Sequence, residues 1–212
     1  MRFQRFRKGQ LRGLRLERNR VYLRFPVQRD WRNWAALRAE SRDFLAPWEP
    51  TWAYDALTRG AFRRRLKMYK TEMRQGVTYS FLILRRVDDV LKDQEALRRV
   101  DDVLLGGITL SNLRRGVAQS ATLGYWIGSP HRNKGYMTDS LAAILEFAFS
   151  RIGLHRVEAA CLPANEASRR LLLRSGFREE GYAREYLRIS GRWQDHQLFA
   201  ILRDNLPSEI KV

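Results

Sequence analysis

Apolar positions change period several times along the chain, and each change marks a predicted element. Residues 21–25 form a short run of β character closed by Pro26. After Asp30, a residue suited to capping a helix, Trp31, Trp34 and Leu37 recur at helical spacing up to Glu40. The prolines of FLAPWEP, residues 44–50, stop that helix. Phe62, Leu66, Tyr69 and Met73 follow an i, i+4, i+7, i+11 pattern, which predicts a second helix over about residues 55–75 with Gly76 as its cap. Its other face is strongly basic.

Residues 77–84 read as a core strand, and residues 104–110 and 121–127 as two more, joined by a turn at NLRRG, residues 112–116. Leu141, Ile144, Leu145, Ala148 and Phe149 make one apolar helical face within residues 135–151. A strand at 156–162, a short helix from Asn165 to Arg174 ended by Gly176, and a hairpin over 177–202 turning at Ser190 and Gly191 complete the order. The resulting β-α-α-β-β-β-α-β-α-β-β series predicts an α/β (α+β) domain with a largely antiparallel sheet. A doubly wound nucleotide fold is excluded. The domain spans residues 21–204, between a basic arm at 1–20 and a short tail at 205–212.

Composition alters this picture in two ways. With 44% hydrophobic and 11% aromatic residues, a chain of 212 can form one core, so disorder throughout is excluded. No window approaches 18 uncharged apolar residues and the amino-terminal segment resembles no signal peptide, so we expect a cytoplasmic protein with no membrane partner. The charge is the second point: 40 Lys and Arg against 23 Asp and Glu give +17, and only six of the 40 are lysines. Such a field attracts nucleic acid, a ribosome, anionic lipid or a phosphate-rich ligand; an arginine-rich composition without any such partner is the alternative. Residues 1–20 hold eight of the basic side chains and one acid, Glu17, and read as an exposed arm that turns into a strand near its end. LRRVDDVL occurs at residues 84–91 and again at 97–104. A tandem insertion near 85–103 in a hairpin tip explains it better than a solenoid repeat, although its Val and Leu residues also lie on one helical stripe.

The chemistry concentrates in GYWIGSPHRNKGYMTDSL, residues 124–141. A strand ends at Ile127, a loop carries Arg132, Lys134 and Gly135, and a helix opens. Free N–H groups at the positive end of a helix dipole, with two cations beside them and a glycine that lets the main chain come close, suit a diphosphate. On those residues alone an ordinary surface turn reads equally well. No Walker loop and no G-x-G-x-x-G after a strand occurs, so a phosphate-bearing group carrier is the ligand class that remains. Cys161 and His155 lie on one strand face but about 20 Å apart, too far for a thiol and its base. A buried, inert thiol is the better reading. Cys161 alone excludes an internal disulfide and a multi-cysteine metal cluster, and His131, His155 and His196 have no metal-ligand spacing, so no metal is expected.

Arg132-x-x-Gly135-x-Met137 resembles the acetyl-CoA loop of the GNAT N-acetyltransferases, and Asn165-x-x-Ser168-x-x-Leu171-Leu172-x-Arg174-x-Gly176-Phe177 resembles the second signature of their RimJ/RimL branch. FLAPWEP at 44–50, SNLRRG at 111–116 and GYAREYLRISGRWQDH at 181–196 extend the likeness over roughly residues 20–204. The resemblance implies a twisted sheet of six to seven strands with about four helices and central strands that splay to admit acetyl-CoA. It implies that Tyr125, Trp126 and Ile127 hold the pantetheine through their main chain. Arg132, Asn133, Lys134, Gly135, Tyr136, Met137 and Thr138 would hold the diphosphate. Asn165, Ser168, Leu172 and Arg174 complete the cofactor side, with Ser168 as general acid for the departing thiolate. Met137 stands where the family prefers Gly or Ala, which would narrow the approach to the diphosphate.

Glu185 matches the position of the RimL-type glutamate and would serve as base; a solvated strand residue paired with an arginine is the competing reading. Trp48, Glu49 and Asn112 would face the acceptor, with Glu49 gripping its ammonium. The implied reaction is acetyl transfer to the N-terminal α-amine, alanine in the RimJ type, of a ribosomal protein, with ribosome or rRNA contact through the basic surface. Two alternatives stay open: acetylation of a polyamine or aminoglycoside, and a non-catalytic ribosome- or RNA-binding assembly factor on the same fold. Oligomeric state is not legible.

Overall fold

The computed structural model describes residues 13–86 and 102–207. Most of the duplicated insert and the first part of the arm lie outside them. Eight strands form one sheet in the order β1-β2-β3-β4-β5-β6-β8-β7. The count exceeds the expected six to seven because the sheet begins inside the segment read as an arm: β1 (Arg15–Arg18) and β2 (Val21–Arg24) are an antiparallel hairpin, turned through Asn19 at φ 43°. The strands β3 (Tyr79–Arg85), β4 (Val103–Arg114) and β5 (Ser120–Ile127) continue the antiparallel order. Beyond them β6 (Arg156–Cys161) is parallel to β5, and β8 (Arg192–Leu202) joins it to the outermost strand, β7 (Arg178–Ile189).

Alternate residues of the central strands feed two cores. On one face Tyr22, Leu82, Leu84 and Leu104 pack with Trp34 and Leu37 of α1 (Trp31–Glu40) and with Phe62 and Leu66 of α3 (Arg59–Gln75). Between those helices comes α2 (Arg42–Leu45), a single turn that runs into a 3₁₀ turn at Ala46–Trp48; the prolines of FLAPWEP shape this passage without abolishing helix. On the other face Leu23, Phe81, Ile83 and Ile108 meet Leu141, Ile144 and Leu145 of α4 (Tyr136–Glu146), which continues as a π-helical turn over Phe147–Arg151. The last helix, α5 (Glu166–Arg174), adds Leu172 to that core.

Two expectations for helix starts come out differently for a reason of charge. Asp30 stands at the N-cap of α1, but its carboxylate accepts from Arg24 Nη1 and Nη2 at 2.8 and 2.6 Å and from the Val27 N–H at 2.7 Å, leaving none for the helix. The second helix starts at Arg59, later than expected: Thr58 caps it by accepting from the Ala61 N–H at 3.1 Å, while Asp55 pairs with Arg64. The turn expected at 112–116 is also shorter, because β4 runs to Arg114 through a register shift at which Asn112 takes φ 52°.

Candidate active site

Strands β5 and β6 pair only at Ser120 with Arg156, Ala121 with Val157 and Thr122 with Glu158. Beyond Thr122 they part. From Leu123 to Ile127, β5 remains bonded to β4 on one side, while Ala159 to Cys161 of β6 remain bonded to β8, so two main-chain edges face each other across a wedge. Unpaired N–H and C=O groups along an edge recruit an extended ligand as an added strand.

At the wedge Tyr125 is partly exposed, and its hydroxyl lies 2.7 Å from Ser168 Oγ of α5. Burial pushes the Tyr125 hydroxyl far above the usual phenol range, with the Ser168 hydrogen bond pulling weakly the other way. Tyr125 therefore keeps its proton at neutral pH and can donate to Ser168, which leaves the serine's own hydrogen free for another acceptor. Ser168 is set by the start of α5: Asn165 is the N-cap, and its Oδ1 accepts from the Ser168 N–H at 3.1 Å. Cys161 is buried beside this pair, and burial pushes its thiol up, which suits an inert thiol rather than a nucleophile.

The loop between β5 and α4 ends in the expected helix start. Asn133 and Gly135 take φ 59° and 78°, and Gly135 is the N-cap of α4, so the N–H groups of Tyr136, Met137 and Thr138 open the helix. Arg132, Asn133, Lys134, Gly135 and Thr138 are exposed there. Burial and the neighbouring Lys134 lower the His131 pKa, so that imidazole adds no charge at neutral pH. Met137 does not narrow the loop. It is 9% exposed and belongs to the core under α4, so its bulk points away from the open side. Leu172 corrects another expectation: at 0% exposure it anchors α5 and offers no surface to a cofactor. Arg174 is exposed at the far end of α5.

On the α1–α3 face a cavity of about 540 Å³ reaches from Pro26 to Gly124, Tyr125 and Trp126. Gly106 and Gly107 make room for Trp126, since a Cβ on Gly107 would come within 2.4 Å of its Nε1. The cavity's main polar feature is Arg38, whose guanidinium carbon lies 4.3 Å from the Trp52 ring centre, 4.8 Å from Trp126 and 5.9 Å from Trp34. Arg38 donates to both carboxylate oxygens of Glu49, at 2.9 and 2.6 Å, and Trp52 Nε1 donates to Glu49 Oε2 at 2.7 Å. Glu49, expected to grip the acceptor's ammonium, lines this cavity, but its charge is already held by an arginine. Trp48, half-buried in the adjoining 3₁₀ turn, does not line it, and Asn112 is exposed at the hairpin end of β4, away from it. The tip of the last hairpin closes one side: the Ser190 N–H donates to the Glu49 carbonyl at 3.0 Å.

Glu185 is exposed in β7 at φ 46°, within a register shift between Ala183 and Leu187, and its N–H donates to Asp195 Oδ1 at 2.8 Å. Cys161, the last residue of β6, pairs with Gln197, so Asp195 lies past the C-terminal end of β6, with Glu185 beside it on β7. Its carboxylate makes no ion pair among the described residues.

A wedge between parted strands is thus joined to a helix start by one loop and carries a hydroxyl pair, and residues 20–178 match the family described as the acetyltransferase (GNAT) domain. The chain belongs to the GNAT family. Among curated relatives, the ribosomal protein uS5-alanine N-acetyltransferase of Escherichia coli K12 is 34% identical over 188 residues, 89% of this chain and 90% of that one. Among solved structures, Mycobacterium smegmatis RimJ in complex with CoA-disulfide is 33% identical, with a TM-score of 0.77 and coverage of 89% of this chain and 84% of that one. The ribosomal-protein-S5-alanine acetyltransferase of Vibrio fischeri is 26% identical, with a TM-score of 0.77 and coverage of 92% and 99%. This GNAT enzyme is an acetyl-CoA-dependent N-acetyltransferase with acetyl-CoA as its co-substrate.

Sequence motifs located the GNAT loop and the Asn165–Ser168 pair. They missed the Tyr125 hydroxyl and the Arg38 cage. Arg38 had left a trace in its i, i+4 spacing from Trp34; Tyr125 had left none, since its partner is 43 residues away.

Proposed function

We propose that the enzyme acetylates the N-terminal α-amine, alanine, of a ribosomal protein in the cytoplasm. The observation that carries this reading is the Tyr125–Ser168 pair at the wedge, with an aromatic cavity on the acceptor side. Likeness to two uS5-alanine acetyltransferases supports the acceptor class.

In this reading Tyr125, Trp126 and Ile127 bond the pantetheine through their main chain, and Arg132, Asn133, Lys134, Gly135, Tyr136, Met137 and Thr138 hold the diphosphate through amides and cations. The neutral amine attacks the thioester carbonyl carbon, the C–S bond breaks, and Ser168 donates its hydrogen to the leaving sulfur and takes a proton back from water. Glu185, directly or through a water, accepts the proton lost from the new amide nitrogen. A general acid or base of this kind contributes roughly 10²- to 10⁴-fold.

A terminal α-amine has a pKa of about 7.7 to 8.0, against about 10.4 for lysine, so it needs far less assistance near neutral pH. The acids of the cavity favour the terminus over a polycation, because Glu49 is held by Arg38 and Asp55 by Arg64. A ribosomal setting also suits the surface of α3: Arg59, Arg63, Lys67, Lys70 and Arg74 are exposed along one stripe and could meet rRNA phosphates.

The decisive experiment is mass spectrometry of ribosomal proteins incubated with enzyme and acetyl-CoA. One N-terminal alanine gains an acetyl group; labelling of lysine side chains, or turnover with polyamines alone, overturns the reading. A pH profile adds a separate check. We expect kcat/KM to rise with a midpoint near pH 8 as the acceptor amine loses its proton, to level off near pH 9, and to show no fall up to about pH 9.5 because Tyr125 holds its own. A fall between pH 8 and 9 would contradict the role given to Tyr125.

A further inference from the structure

We infer that Arg20, in the turn between β1 and β2, is a positioning residue for the diphosphate: it neutralises Asp139 and braces Gly135 from outside the GNAT loop. The inference rests on the reading of that loop as the diphosphate site, and it concerns a carboxylate that stands in the wrong place for an anion ligand.

Asp139 lies in the first turn of α4 and is only 8% exposed. Side chains on a helix tilt toward its N-terminus, so the carboxylate leans toward the free amides of residues 136–138. An acid there satisfies the helix dipole, yet it opposes a second anion at the same amides. The hairpin at the other edge of the sheet answers this charge. Asn19 Nδ2 donates to Asp139 Oδ1 at 3.0 Å, while Arg20 Nε and Nη2 donate to Oδ2 at 3.2 and 3.1 Å. All three donors come from two adjacent residues in a turn whose left-handed Asn19 aims them together.

The same guanidinium touches the loop. A Cβ on Gly135 would lie 2.7 Å from Arg20 Nη2, so the arginine rests directly against the glycine that starts α4, and its guanidinium carbon lies 5.2 Å from the Tyr136 ring centre. Arg20 is 56% exposed at its side chain, against 11% for Asp139, so its charge reaches the open side while the acid's does not. With Arg20 the first turn presents Arg132, Lys134 and a compensated acid; without it, a charged carboxylate bonded to Asn19 but to no cation remains beside the amides.

Isothermal titration of coenzyme A into wild type, Arg20→Ala, Asp139→Asn and the double variant tests this, on protein that circular dichroism shows to be folded at the temperature used. We expect Arg20→Ala to weaken coenzyme A at least tenfold at low salt, the deficit to shrink as salt screens the exposed acid, and Asp139→Asn to recover most of it in the double variant. Arg20→Lys, which keeps the charge and loses the fork, should fall between wild type and Arg20→Ala. Unchanged affinity in Arg20→Ala overturns the inference. So does a deficit that neither salt nor Asp139→Asn alters, since that marks a role in folding only; and if Arg20→Ala is itself unfolded, the folded double variant must match wild type within threefold or the inference fails. Absence of heat with wild type, by contrast, would remove the diphosphate site itself.

Discussion

Ser168→Ala is expected to lower kcat by about a hundredfold while coenzyme A affinity, read by titration calorimetry, stays within about threefold. In the proposed mechanism the serine's hydroxyl meets the sulfur only as the C–S bond breaks, so its loss would fall on the transition state. Tyr125→Phe should cost less, about tenfold, because Ser168 keeps its own hydrogen and loses only the donor that orients it. The two substitutions share one hydrogen bond, so the double variant should be little worse than Ser168→Ala alone. If Ser168→Ala retained full turnover, protonation of the thiolate would have to come from solvent and the hydroxyl pair would be structural. A Ser168→Thr variant, with its hydroxyl in place, should recover much of the rate.

The largest effect on stability is expected from Gly106→Ala. A Cβ at Gly106 would lie 2.2 Å from the Trp126 carbonyl oxygen and 3.1 Å from the Ile127 Cα, both backbone atoms that no rotamer change can move. The β4–β5 ladder must open at the end where Gly106 pairs with Ile127, next to the edge proposed to receive the pantetheine. Overpacking of this sort costs about 1–3 kcal/mol, which for a chain of this size lowers Tm by roughly 3–10 °C. Coenzyme A should bind correspondingly weakly to the variant even well below its melting point. Thermal melts with and without coenzyme A check both parts; a variant with wild-type Tm and affinity would mean that β4 and β5 are free to shift there.

The sequence displayed the local features well, because they depend on neighbours in the chain. The apolar faces of α3 and α4, the glycine that opens α4, and Asn165 three residues before Ser168 are all readable from spacing. Features set by distant partners were hidden. Asp30 carries a strong capping signal, yet Arg24 claims its carboxylate. Glu49 looks like a free acid in FLAPWEP until Arg38, on another helix, is placed beside it. Leu172 falls within a functional signature, yet its burial makes it part of the core. The strand expected near the end of the basic arm had no bounds or pairing for a related reason: in RLERNRVYLR only Leu16 is buried on β1, so alternation shows in too few residues to outweigh the charge.

The parting of β5 from β6 has a thermodynamic side. An interior ladder left half unmade is a local weakness, with several main-chain groups dependent on water where the rest of the sheet supplies partners. A donor that zips into this gap contributes cohesion as well as an acetyl group, and at about a hundred times its dissociation constant it would add roughly 2.7 kcal/mol to the folded state. On the proposed mode of binding, the stability of the folded enzyme would therefore rise with the concentration of the thioester it consumes.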